Sequence, residues 1–217
     1  MVPAARLIHE PEEGKILFDD CNERDLTDFI KLVAKKGLML VLRPGPYVYS
    51  ELVNSGLPRW LVNDYPELLA RDIDGKIFSR ESVSYLHPLF LEKVEKWYAE
   101  FSLAIRPYLS TSGGPIISVQ LDNELIGAQE WHGSIDYNAI TMGFGAENGR
   151  YPTFLRKKYG DIAVLNKAYE TRYNDFTEVY PKPEKAEGKA AARMGKDYHD
   201  FYCETIEEYA EVLANML

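Results

Sequence analysis

Two cysteines in 217 residues, Cys21 and Cys203, are too few and too far apart for a disulfide framework. Neither belongs to a CxxC pair or a metal-ligand spacing. Long apolar runs are also missing: no stretch approaches the roughly 18 residues that a membrane span needs. The chain does not open with a basic region followed by an apolar stretch, so no leader is visible. The compartment stays open, with the cytoplasm favoured. Basic residues are in the minority, 25 Lys and Arg against 34 Asp and Glu, giving a net charge of −9. A nucleic-acid binder displaces phosphate counterions with clustered cations, so this balance argues against that class and favours a neutral ligand. No Gly-rich phosphate loop follows a strand, and no His, Asp and Glu cluster has metal spacing. Neither a metal nor a cofactor is expected. His87, just before Pro88, is expected to be structural, and His132 and His199 stand alone.

What is abundant is apolar and aromatic: 46% hydrophobic residues, with 15 Tyr and 3 Trp. That is enough for a sizeable core in one domain or slightly more. Asn22 to Asp25 offers N-cap residues, and Leu26, Phe29, Ile30 and Val33 follow at helical spacing up to Gly37. Leu38 to Leu42 is a short apolar run between Gly and Pro, which predicts a strand buried on both faces. Tyr47 to His87 is long and irregular, and a loop of that length is usually functional. Pro88 to about Pro107 predicts an amphipathic helix, and Ser112-Gly113-Gly114 turns the chain into a second buried strand, Pro115 to Asp122. A third strand is possible before His9. Beyond Leu125 the spacing predicts helices over Tyr151–Gly160 and Asp161–Ala168. A Pro- and charge-rich connection from Glu178 to Lys189 follows, and then a long helix from about Ala190 to Leu217. Helix followed by buried strand is an α/β pattern.

Two segments carry chemistry. Along the second strand Ile117, Val119 and Leu121 are expected on one face and Ser118, Gln120, Asp122 and Glu124 on the other. In a barrel the polar face would point inward and place Glu124 at the catalytic mouth. A carboxylic acid there can protonate a glycosidic oxygen, with a second carboxylate required across the sugar. The adjacent Asn123 can hold a sugar hydroxyl. An ordinary strand-to-loop transition is the plain alternative for this triplet. The other segment runs from Leu42 through Arg43-Pro44-Gly45-Pro46 to Tyr47, Val48, Tyr49, Ser50 and Glu51. Arg43 is expected in a core ion pair, with the prolines ending the strand. Tyr47, Tyr49, Ser50 and Glu51 are then expected at the same rim as Glu124, as substrate contacts.

His9-Glu10-Pro11-x-x-Gly14, Asp25-Leu-x-x-Phe-Ile, Gly37-Leu-x-x-x-Leu-Arg-Pro-Gly-Pro-Tyr47, Gly56-Leu-Pro-x-Trp60-Leu, Gly113-Gly-Pro-Ile and Asn123-Glu124 occur in that order. Over residues 9 to 125 this pattern resembles glycoside hydrolase family 35, the β-galactosidases, which are retaining enzymes on a (β/α)8 barrel. Phe154 to Pro181 also resembles helical segments of family 42 β-galactosidases. The resemblance implies Glu124 as acid/base, and Asn123 and Glu51 as sugar contacts, with no cofactor. The chain departs from the family where Tyr49-Ser50-Glu51-Leu52 replaces Cys-Ala-Glu-Trp and where Ser55-Gly56 replaces Gly-Gly. It departs again in Met1 to Ile8, which lacks the usual aromatic and Trp-Asn positions.

The expected fold is α/β: a partial (β/α)8 TIM barrel with parallel strands corresponding to about the second to fourth, and a helical C-terminal extension. Residues 1–125 would form the N-terminal part of the barrel, and 126–217 a helical excursion and the following helix of the same domain. No glutamate after Glu124 ends an apolar strand-like run, so the nucleophile is expected outside this polypeptide and the isolated chain is expected to be inactive. The expected partner is a β-galactoside, with no nucleic acid or membrane, and self-association through exposed barrel edges. The alternatives are a non-catalytic sugar-binding or assembly subunit, and a family 42-like retaining glycosidase of different sugar specificity.

Overall fold

The computed structural model describes residues 1–19, 24–125, 134–181 and 187–217. Cys21, Glu130, His132 and Glu184 lie outside the described residues. Among those described, the elements are β1 (Val2–Pro3), α1 (Arg6–His9), α2 (Leu26–Lys35), β2 (Leu40–Gly45), α3 (Arg59–Asp64), α4 (Pro88–Ile105), β3 (Ile116–Leu121), α5 (Ala139–Met142), α6 (Arg150–Tyr159), α7 (Ile162–Tyr169) and α8 (Gly188–Met216). The strands form one parallel sheet in the order β1-β2-β3. Helices between parallel strands are the βα alternation that barrels are built from. No described helix is long and apolar enough to cross a membrane.

The helix boundaries follow local chemistry. Asp25 caps α2 by accepting the Asp28 N–H at 2.8 Å, and Gly37 follows its end at φ +65. Asp161 caps α7 through the Ala163 N–H at 2.7 Å. The apolar stripes of α4 and α8 are buried as their spacing predicts. Phe90, Val94, Trp97, Tyr98 and Phe101 join the sheet-side core with Tyr209 and Leu213, while Tyr198, Phe201 and Tyr202 join a second core with α6 and α7. The helix α8 therefore fastens the helical extension to the barrel-like part.

Three expectations are revised. The segment from Tyr47 to His87 is more ordered than its composition suggests: it holds α3, and antiparallel bridges join Leu69 to Val83 and Arg71 to Ile77. β2 does not stop at Leu42 but continues through Pro44. That proline removes a donor, yet the strand is used there through its carbonyls, with Ala4 N–H donating to Arg43 O and Asp122 N–H to Gly45 O. Trp97 Nε1 donates to Pro44 O at 2.9 Å, and Tyr98 Oη donates to Gly45 O, so α4 anchors the end of β2.

The simple alternation of β3 also fails. Leu40 pairs with Ile116 but Val41 with Ser118, leaving Ile117 as an extra residue. This bulge shifts the phase. Ile116 enters the core and Ile117 is 52% exposed, while Val119 and Leu121 pack against the core.

The His9 to Gly14 motif is scaffold. Glu10 pairs with the buried Arg6 and accepts the Gly14 N–H at 2.8 Å, and its carbonyl takes Trp60 Nε1 at 3.0 Å. The Arg6 guanidinium sits 5.1 Å from the Trp60 ring centroid and 5.9 Å from that of Trp97.

Candidate active site

The loops after β2 and β3 converge on one cleft of about 510 Å³, lined by Arg43, Tyr49, Ser50, Glu51, Leu52, Ser55, Glu81, Asn123 and Glu124. It lies at the C-terminal ends of parallel strands, where α/β sheets place their ligands. Five of the six residues expected in the site from sequence are therefore brought together: Glu124, Asn123, Glu51, Tyr49 and Ser50.

The sixth, Tyr47, lies beneath the cleft and not in it. It is 0% exposed. Its hydroxyl donates to Glu81 O at 2.9 Å and accepts the Val83 N–H at 2.8 Å, so its proton is already used and its burial keeps it from the cleft. The prolines that stiffen this segment direct Tyr47 into the core, so its expected side-chain contact with substrate is corrected to support of the loop that carries Glu81.

Glu81 is the residue that sequence reasoning missed. It stands in a long connection with no motif around it, and only the pairing of the 69–83 segment brings it back to the cleft. Its carboxylate accepts Ser55 Oγ at 3.4 Å.

Tyr49, Ser50 and Glu51 all have positive φ, at 51, 50 and 56 degrees, and Asn54, Ser55 and Gly56 follow at 53, 55 and 92 degrees. Non-glycine residues there cost on the order of 1 kcal/mol each and persist only when other contacts hold them. Here the Ser55 carbonyl accepts both the Val48 and Tyr49 N–H groups, at 3.1 and 3.0 Å, and Leu52 N–H donates to Tyr49 O at 2.9 Å. Gly56 is required: a Cβ would stand 2.3 Å from Val48 Cγ2.

Among the described residues Arg43 has no ion-pair partner, so the expected core ion pair is not seen there. It is half-buried, with Nη1 donating to Val48 O at 3.0 Å and Nη2 to Gln120 Oε1 at 3.4 Å. Gln120 Nε2 in turn donates to Asn123 Oδ1 at 3.1 Å. A chain of hydrogen bonds thus runs from the loop through Arg43 and Gln120 to Asn123, fixing the Asn123 side-chain oxygen at the cleft.

Asp122 does not share the cleft with Glu124, as the alternation suggests it should. At φ +53 it turns inward and is 1% exposed. Burial raises its carboxyl to about 7, against the lowering effect of hydrogen bonds from Tyr209, Asn123 and Tyr47.

Among the described residues three carboxylates, Glu51, Glu81 and Glu124, face the cleft with one cation, Arg43, whose donors are partly engaged. Among the described residues no group of three or more His, Cys, Asp or Glu is placed to hold a metal. Nor does any strand follow β3 there, so no later strand end offers a further carboxylate to the cleft.

The chain resembles known proteins in sequence and in fold. The sequence profile of "Glycosyl hydrolases family 35" matches residues 7–210. An exo-beta-D-glucosaminidase of Pyrococcus horikoshii is 38% identical over 94% of this chain. A beta-galactosidase-1-like protein of Mus musculus is 39% identical over 54% of it. The chain spans 26% of the first of these relatives and 16% of the second. In fold, a beta-galactosidase from the psychrophilic Marinomonas ef1 superposes on 99% of the chain with a TM-score of 0.72 at 19% identity, the chain covering 30% of that structure.

Proposed function

Because this chain belongs to glycosyl hydrolase family 35, we propose that it carries the acid/base half of an exo-acting retaining glycosidase site on part of a (β/α)8 barrel. The observation that carries the reading is the meeting of Asn123, Glu124 and Glu51 around one cleft at the ends of adjacent parallel strands. Glu124 protonates the leaving oxygen and then activates water. Asn123 holds the hydroxyl beside the reacting carbon, and Glu51, Tyr49 and Ser50 contact the rest of the ring. The nucleophile comes from outside the described residues and faces Glu124 across the sugar.

Two sugars compete. A terminal β-galactoside follows from the family. A terminal β-D-glucosaminide is the better fit, because three carboxylates against one engaged cation suit an ammonium group. The relative named an exo-beta-D-glucosaminidase, which matches over nearly the whole chain, points the same way. Calorimetric titration with methyl β-D-glucosaminide and methyl β-D-galactoside separates them. The amino sugar should bind more tightly, and the difference should shrink in Glu81→Gln. Equal affinity would return the assignment to galactose, and no binding of either would end the sugar-site reading. The chain alone should not turn over aryl β-glycosides. Rapid turnover abolished by Glu124→Gln would place the nucleophile within it. The outer edges of β1 and β3 should promote self-association, which size-exclusion chromatography reads directly.

A further inference from the structure

Asp122 precedes the Asn123–Glu124 pair but does not line the cleft. Each bond of its carboxylate runs into the protein. Oδ1 accepts the Tyr47 N–H at 2.9 Å and the Asn123 N–H at 2.7 Å, and Oδ2 accepts the Tyr209 hydroxyl at 2.8 Å. Its own N–H donates to Gly45 O at 2.9 Å, and its carbonyl takes Gln120 Nε2 at 3.1 Å. The end of β2, the loop after it, the end of β3 and the helix α8 all meet at this one residue. A carboxylate suits the place because it accepts at both oxygens, whereas three convergent donors would leave an apolar side chain with unmet N–H groups.

The position has a directional consequence. With Asp122 at φ +53 and Glu124 at φ +46, the chain leaves the strand along a path that L-residues adopt only when held. The bond from the Asn123 N–H to Oδ1 spans this bend. Tyr209, itself buried and stacked on Tyr85 at 4.7 Å between centroids, fixes Oδ2 and so the rotation of the carboxylate.

We propose that Asp122 is a positioning residue, which holds Asn123 and Glu124 at the cleft, and that Tyr209 of α8 sets its orientation. The functional half of this inference rests on reading the cleft as a sugar site, and the geometric half does not.

The test uses the 217-residue chain and two readouts. Amide exchange followed by NMR reports the hydrogen bonds at Tyr47 and Asn123, and calorimetry with methyl β-D-glucosaminide or methyl β-D-galactoside reports the site. Hydrogen bonds to a charged group correspond to roughly tenfold to a hundredfold in opening. Asp122→Ala should therefore speed exchange at both amides by about that factor, leave the α4 amides within about twofold, and weaken sugar binding at least about tenfold. Asp122→Asn keeps an Oδ1 acceptor and should restore protection to within a fewfold of wild type. Tyr209→Phe keeps the ring and loses the donor, so it should give an intermediate effect that does not add to that of Asp122→Ala. If Asp122→Ala does not fold, Asp122→Asn and Tyr209→Phe carry the comparison. Unchanged exchange at Tyr47 and Asn123 in Tyr209→Phe together with Asp122→Ala, or lost protection with sugar affinity intact, overturns the proposal. A wild-type chain that binds neither sugar sinks the sugar-site reading alone, and the exchange data still decide the geometric claim.

Discussion

The rings of Tyr47 and Tyr49 are stacked at 5.6 Å between centroids, yet only Tyr49 lines the cleft. The two neighbours thus have separate tasks, one closing the core under the loop and the other facing the ligand.

Their substitutions should separate accordingly. Tyr47→Phe removes a hydroxyl that both donates to Glu81 O and accepts from Val83 N–H. It leaves a buried N–H and a carbonyl unmet, which should lower stability by about 1–3 kcal/mol in urea denaturation. Tyr49→Phe should stay within about 1 kcal/mol of wild type, while Tyr49→Ala should weaken sugar binding in calorimetry. A Tyr47→Phe chain as stable as wild type would contradict this division.

Glu10→Ala should be among the most damaging single changes in the scaffold. It strips Arg6 of its buried partner, and an uncompensated buried charge costs about 3–5 kcal/mol. Replacing both, as Arg6→Met with Glu10→Leu, should recover most of that loss, with the urea midpoint as the measure. Equal damage from the single and the double change would mean that the bond from the Gly14 N–H to the Glu10 carboxylate matters more than the charge.

Two glycines with positive φ should respond differently to alanine. Gly37 has open space where a Cβ would stand, so only backbone strain applies, about 1 kcal/mol. At Gly56 the Cβ would also collide with Val48, so stability should fall further. Ser55, which lines the cleft beside it, should shift as well. Thermal unfolding of the two variants gives the ranking, and sugar affinity should drop only in Gly56→Ala.

The pH dependence of stability has a definite sign. Burial raises Asp122 to about 7 and Asp136 to about 6, above their unfolded values near 4. The folded chain therefore holds protons that the unfolded chain has released, and these two groups make stability fall as pH rises from about 4 to about 7. His87, lowered by burial, acts in the opposite direction as pH rises toward its unfolded value. The difference between wild type and Asp122→Asn isolates the first contribution. Urea midpoints from pH 4.5 to 7.5 should converge at the acid end and diverge above it, with wild type losing more. Parallel curves would show that Asp122 keeps an ordinary carboxyl in the fold.

The positions of the helices and strands were legible because their signals are local. Asp25, Asp161, Gly37 and the stripes of α4 and α8 act within a turn or two of themselves. That a strand ends beside Asn123-Glu124 is likewise written in a few consecutive residues, although its expected burial on both faces is not met. Other features depend on contacts between segments distant in sequence. Tyr47 is buried because its hydroxyl finds Glu81 and Val83, and Glu81 reaches the cleft because its loop pairs back on itself. Ile117 is turned out by a bulge that exists only in register with β2. Asp122 faces inward because Tyr209, far along the chain on α8, meets its carboxylate there. Periodicity tells which residues share a face of an ideal element, but a bulge or a positive φ resets that phase. Only the packed neighbours can hold such a departure in place.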